Sequence, residues 1–121
     1  MIDLRPGSDV SLWQNETCLL RQLHIPRGVL QRGIGLMFRK KIPAAFGSGL
    51  FFPRCRSLHT FWMRFPLDVC FLDAEGQVVN VQRSVSPWRV VQGPREARHV
   101  FEVRSGDLVD LHEAPLVWRI L

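Results

Sequence analysis

The stretch His59 to Asp73, HTFWMRFPLDVCFLD, sets two short apolar runs on either side of Pro66 and leads directly into the turn Asp73-Ala74-Glu75-Gly76. It reads as the central hairpin of a small β-rich domain, with glycine supplying positive φ at the following turn. Period-two alternation puts His59, Phe61 and Met63 on one face of a strand over 58–64, with Thr60, Trp62 and Arg64 on the other. In the strand over 67–73, Asp68, Cys70 and Leu72 oppose Leu67, Val69, Phe71 and Asp73. Neither run alternates cleanly between polar and apolar, so the hairpin is expected to be covered on both faces. A buried polar group without a partner costs about 1–3 kcal/mol. His59, Arg64 and Asp68 are therefore expected either to pair with one another or to stand at a pocket rim.

The rest of the chain follows the same pattern. Residues 1–16 read as an N-terminal arm, with turn chemistry at Pro6-Gly7-Ser8-Asp9 and Leu12 and Trp13 as anchors, and residues 17–121 as a single β-rich domain. Strands are expected at 17–25, 50–53, 77–85, 88–92, 97–104, 107–112 and 116–121. The hydrophobic spacing of Gly28 to Lys40 fits one short helix broken near Gly33 and Gly35. Many short strands without βα alternation predict a mainly β fold, a compact sandwich or partly open barrel with one short helix.

Charge is unevenly distributed. The net charge is +5, yet residues 1–64 hold ten Lys or Arg against three acids while 65–121 hold six Arg against eight acids. No carboxylate occurs between Glu16 and Asp68. One reading is a positive face that attracts anions; the other is that charges rich in Arg are simply scattered once the chain is folded. The first residues lack a basic head followed by an apolar run, and no apolar stretch is long enough to span a bilayer, so a cytoplasmic location is expected. Cys18, Cys55 and Cys70 are odd in number and form no CxxC pair, which argues against a disulfide framework or a structural zinc site. Cys55, between Arg54 and Arg56, has neighbours that favour a thiolate but no adjacent base.

The segments RGIGLMFR at 32–39, GLFF at 49–52, HTFWMR at 59–64, PLDV at 66–69 and FLD at 71–73 together closely resemble domain-of-unknown-function family 192, a prokaryotic family of small proteins. The resemblance runs from about Cys18 to Leu111. It implies a jelly-roll type β sandwich with a short helix and no established activity. The link between Met63 and Pro66 is shorter than the family pattern, and a glycine-containing insertion is skipped between Glu102 and Gly106.

Arg32, Arg39, His59, Trp62, Arg64 and Asp68 form the candidate ligand-binding set, all within these segments. Arginine forks suit carboxylate or phosphate, and a tryptophan face suits a sugar or a base. The competing structural account has Asp68 locking the hairpin by pairing with Arg39 or Arg64, and Trp62 in the core. No GxSxG, HExxH or glycosidase-type acid pair is present, and His24, His59, His99 and His112 lack metal-ligand spacing. No catalytic residue, metal or cofactor is assigned. The leading expectation is a monomeric, non-catalytic binding or accessory domain for an anionic or sugar-like ligand or a partner protein. Single-stranded nucleic acid is the alternative, since Trp and Phe are interleaved with Arg, followed by a hydrolase using His59, Asp68 and Ser57 or Cys70.

Overall fold

Short apolar runs bounded by turn residues build most of what the structure describes, with 52% of the described residues in strands and almost no helix among them. The computed structural model describes residues 5–27, 41–42, 44–108, 111 and 116–121. Nine strands occur among them: β1 (Asp9–Gln14), β2 (Thr17–His24), β3 (Gly49–Phe52), β4 (Ser57–His59), β5 (Leu67–Leu72), β6 (Val78–Val85), β7 (Val90–Gln92), β8 (His99–Arg104) and β9 (Leu116–Ile120). Seven form one mixed sheet in the order β6-β5-β8-β3-β2-β1-β9, and β4 pairs with β7 in a separate two-stranded ribbon. The large sheet does not close into a barrel. Its one parallel pairing, β2 with β3, rests on the register His24↔Leu50.

Every residue of β5 is buried, as the unbroken apolar pattern requires for a strand covered on both faces. On one side Phe51, Cys70, Leu72, Phe101 and Val103 pack with Val10, Leu12, Leu20, Leu23 and Trp118 from β1, β2 and β9. On the other, Leu50, Phe52, Val69, Phe71 and Val100 pack under Met63, Val91 and Leu58. The ribbon and the chain leading from it therefore act as the lid of the second core. The lid lies close to the sheet: a Cβ at Gly93 would fall 2.5 Å from Cδ1 of Phe71, so only glycine fits there.

The turn after β5 forms as expected. Asp73 Oδ1 accepts the amide protons of Glu75 and Gln77, each at 2.9 Å, and Gly76 takes φ +84°. Three expectations change and a fourth falls outside the described residues. Within the 1–16 stretch read as an arm, β1 is hydrogen-bonded on both sides, to β2 and β9, because its apolar residues are needed to cover the core. The strand expected over 58–64 stops at His59 and pairs with β7, so β5 has β6 and β8 as neighbours and the central hairpin across Pro66 does not form. Of the strands expected at 97–104 and 107–112, the first forms as β8 between β3 and β5, while in the second Asp107 and Leu108 are not in a strand and 109, 110 and 112 lie outside the described residues. The helix expected over 28–40 also lies outside the described residues, and the local helical turn that is described is the 3-10 turn Ala44–Phe46. Among the described residues no helix is long and apolar enough to cross a membrane.

Candidate functional site

Strand β4 ends where Thr60 diverts the chain. Its hydroxyl donates to the Ser86 carbonyl at 2.7 Å and accepts from the Arg89 amide at 2.9 Å. Its backbone amide donates to the Arg89 carbonyl at 2.8 Å, and its carbonyl accepts from Trp88 and Met63 at 2.9 and 3.2 Å. A single buried threonine thus ties the segment after β4 to the segment before β7 and takes over the backbone groups a continuing strand would have used.

That knot turns a row of rings outward. His59 stacks on Phe61 with centroids 5.0 Å apart, Phe61 lies 5.8 Å from Trp88 at 30°, and Trp62 meets Trp88 edge to face at 4.5 Å and 61°. Both tryptophans sit at φ +66°, a left-handed conformation that is an outlier for a bulky side chain and costs of order 1–3 kcal/mol. They are also 48% and 56% exposed, so burial of the indoles does not offset the strain. His59, Arg64 and Arg89 are exposed as well, and neither 57–66 nor 86–92 contains a carboxylate. His59 Nδ1 accepts from the Phe61 amide at 3.3 Å, which orients the imidazole along the row.

The six residues singled out from sequence do not converge. His59 and Trp62 share the aromatic row, and Arg64 is exposed two residues beyond Trp62. Asp68 is 2% exposed and bound elsewhere: Oδ1 accepts from the Ser84 amide at 2.8 Å, and Oδ2 from the Gly106 amide at 3.2 Å and Arg83 Nη1 at 3.3 Å. The pairing with Arg64 or His59 is therefore replaced by a lock across β5, β6 and the turn after β8. It sits where β6 bulges between Val85 and Gln82, and the carboxylate takes the Ser84 amide that the bulge removes from the ladder. Arg32 and Arg39 lie outside the described residues. Trp88 was missed, because the run from 88 to 92 reads as a strand and a strand would not hold it at positive φ.

Of the two candidate nucleophiles, Ser57 is exposed at the start of β4 and Cys70 is closed off. Cys70 is buried and burial pushes its thiol up to about 12, with Arg83 opposing only in part. It is shut off from any substrate. Cys55 is half-buried and its thiol donates to the Ser57 carbonyl at 3.0 Å. His24 pairs with Asp9 at 3.0 Å, and His99 is buried with its Nδ1 accepting from the Arg54 amide at 3.0 Å. Among the described residues no group of three or more His, Cys, Asp or Glu is placed to hold a metal.

The class that emerges is a small, mainly β protein of two sheets with an exposed aromatic row where the smaller sheet ends. The chain belongs to the family DUF192, described as "Uncharacterized ACR", whose pattern matches residues 11–112. It is 33% identical over 86 residues to a UPF0127 protein of Pyrococcus horikoshii, covering 70% of this chain and 74% of that one. A UPF0127 protein of Pyrococcus abyssi is 32% identical over 100 residues, covering 74% and 85%. Two crystal structures share the fold, each with a TM-score of 0.71. One is a Novosphingobium aromaticivorans protein of unknown function, 18% identical and covering 91% of this chain and 84% of that one. The other is a Sinorhizobium meliloti protein suggested to be a transcription regulator, 19% identical, with coverage of 96% and 97%.

Proposed function

We propose that this protein is a non-catalytic binding domain that takes an anionic, sugar-like ligand, such as a sugar acid or sugar phosphate, on the row formed by His59, Phe61, Trp62 and Trp88. The observation that carries the reading is the pair of touching tryptophans, both in left-handed backbone and both about half exposed. Strain of that kind persists where the surroundings impose it, and it clusters at ligand-binding surfaces. Indole faces give large contact area with little conformational entropy to lose. The absence of carboxylates beside the rings, with Arg64 and Arg89 exposed, favours a ligand carrying negative charge. The edge-to-face angle of 61° between the touching indoles offers a single ring one exposed face to lie on, and no set of parallel platforms for a run of stacked bases.

The test is a titration with glucuronate, glucose 6-phosphate, neutral glucose and a single-stranded oligonucleotide, followed through the indole NMR signals of Trp62 and Trp88. Saturable shifts with the two anionic sugars, lost in Trp88→Ala, are expected. No shift with either refutes the reading. Tight oligonucleotide binding that weakens steeply with salt replaces it with a nucleic-acid surface.

A further inference from the structure

We infer that a second site, at the other end of the β4–β7 ribbon from the aromatic row, binds a phosphate-type oxyanion. There the chain before β4 faces the turn before β8 across an open surface cleft of about 390 Å³ lined by Arg54, Cys55, Arg56, Ala97 and Arg98. Three of those five residues are arginines and none is acidic. Arg56 Nη1 and Arg98 Nη1 both donate to the Arg95 carbonyl, at 3.4 and 3.0 Å, and Arg98 Nη1 also donates to the Ala97 carbonyl at 2.9 Å. Two guanidiniums are thereby drawn onto one oxygen. Among the described residues no carboxylate forms an ion pair with Arg54, Arg56 or Arg98, and Glu96, in the same turn, is exposed and does not line the cleft.

Arg54, Arg56 and Arg98 are exposed to solvent, and an anion lying among them would ease the repulsion of their like charges. Both walls are fixed by backbone hydrogen bonds. The Gly93 amide donates to the Arg56 carbonyl at 2.8 Å, and the Arg98 amide to the Leu72 carbonyl at 2.7 Å. Arg54 is held at φ +53° while its amide donates to Nδ1 of buried His99. Burial, then the charges of Arg54 and Arg98, lower the His99 pKa against the opposing pull of Asp73, which keeps that nitrogen an acceptor. Guanidinium forks on pinned supports match the several oxygens and double charge of phosphate better than the single charge of a carboxylate.

This site stands apart from the aromatic row, so the two are tested separately. The full chain is titrated by calorimetry with inorganic phosphate, glycerol phosphate and acetate at constant ionic strength in chloride. Arg56→Gln and Arg98→Gln are the site variants, Trp88→Ala is the control, and circular dichroism checks the fold of each. One-to-one binding of phosphate is expected, weakened about tenfold or more in each arginine variant and unchanged in Trp88→Ala. Preference for glycerol phosphate assigns a phosphomonoester, and preference for inorganic phosphate assigns the free ion. The inference is overturned if phosphate gives no saturable heat, if acetate binds as well as phosphate, or if folded Arg56→Gln and Arg98→Gln bind phosphate as the parent does.

Discussion

Asp68 gathers three donors onto one carboxylate at the bulge in β6. Hydrogen bonds to a charged acceptor are worth about 1.5–3 kcal/mol each, and they share one group here, so Asp68→Ala is expected to lower stability by about 3 kcal/mol in urea unfolding. A loss below about 1 kcal/mol would show that the bulge closes without the carboxylate. Glu102 behaves in the opposite way. It is 6% exposed in β8, opposite Leu50 and Val69, and burial raises its carboxyl from the usual 4.5 to about 8. A folded-state value above the unfolded one means that its contribution is whole below pH 4.5 and lost as pH rises toward 8. Glu102→Gln is therefore expected to stabilise the protein by on the order of a few kcal/mol at pH 8 and to change little at pH 4, measured as paired denaturation curves. The sequence carries a trace of both roles. A carboxylate at Asp68 inside an apolar strand announces a partner, but the partner lies in Arg83, Ser84 and Gly106, residues with no local cue pointing back to it. Glu102 stands in the apolar run HVFEV, a signal the strand pattern alone passes over.

At the level of the element, the ribbon of β4 and β7 depends on Thr60 and Gly93. Thr60→Val keeps the shape but leaves the Arg89 amide and Ser86 carbonyl without the hydroxyl, with an expected loss of about 1–3 kcal/mol. The tryptophan emission of the folded variant should shift as Trp62 and Trp88 lose their fixed geometry. Gly93→Ala drives a methyl into the fully buried ring of Phe71, with an expected cost of about 1–3 kcal/mol seen as a lower thermal midpoint. Alternation reads β5 and the Asp73–Gly76 turn correctly because their apolar pattern and turn residues act locally. It reads 58–64 as one strand because it registers polarity and not the sign of φ. The hydroxyl of Thr60 ends the strand through bonds to Ser86 and Arg89, far along the chain, and the left-handed backbone at Trp62 follows it. Arg54 and Arg56 are exposed in the connection before β4, and what alternation does not reveal is that the turn carrying Arg98 lies across from them.

Across the whole molecule, two buried titrating groups bend the stability curve from opposite ends. Burial, Arg54 and Arg98 lower His99 below its ordinary 6.5, so its contribution is present above pH 6.5 and is lost as acid protonates it and removes the acceptor for the Arg54 amide. Glu102 adds the alkaline limb, whose loss begins above 4.5 and runs to about 8. His99→Gln should flatten the acid limb of a plot of thermal midpoint against pH, and Glu102→Gln the alkaline limb; a parallel shift of the whole curve would contradict both assignments. The mainly β class and most strand positions were legible from short apolar runs between turns. The strand order was not, because it is set by pairings such as β1 with β9 and β3 with β8 that join distant residues. β1 shares its hydrogen bonds with β9, and Trp118 of β9 packs against Phe51 at 4.4 Å and Phe101 at 6.0 Å. Until β9 docks, β1 keeps an open sheet edge and two phenylalanine rings lack their cover, so cutting the chain before Leu116 would leave an adhesive flank on an otherwise paired sheet.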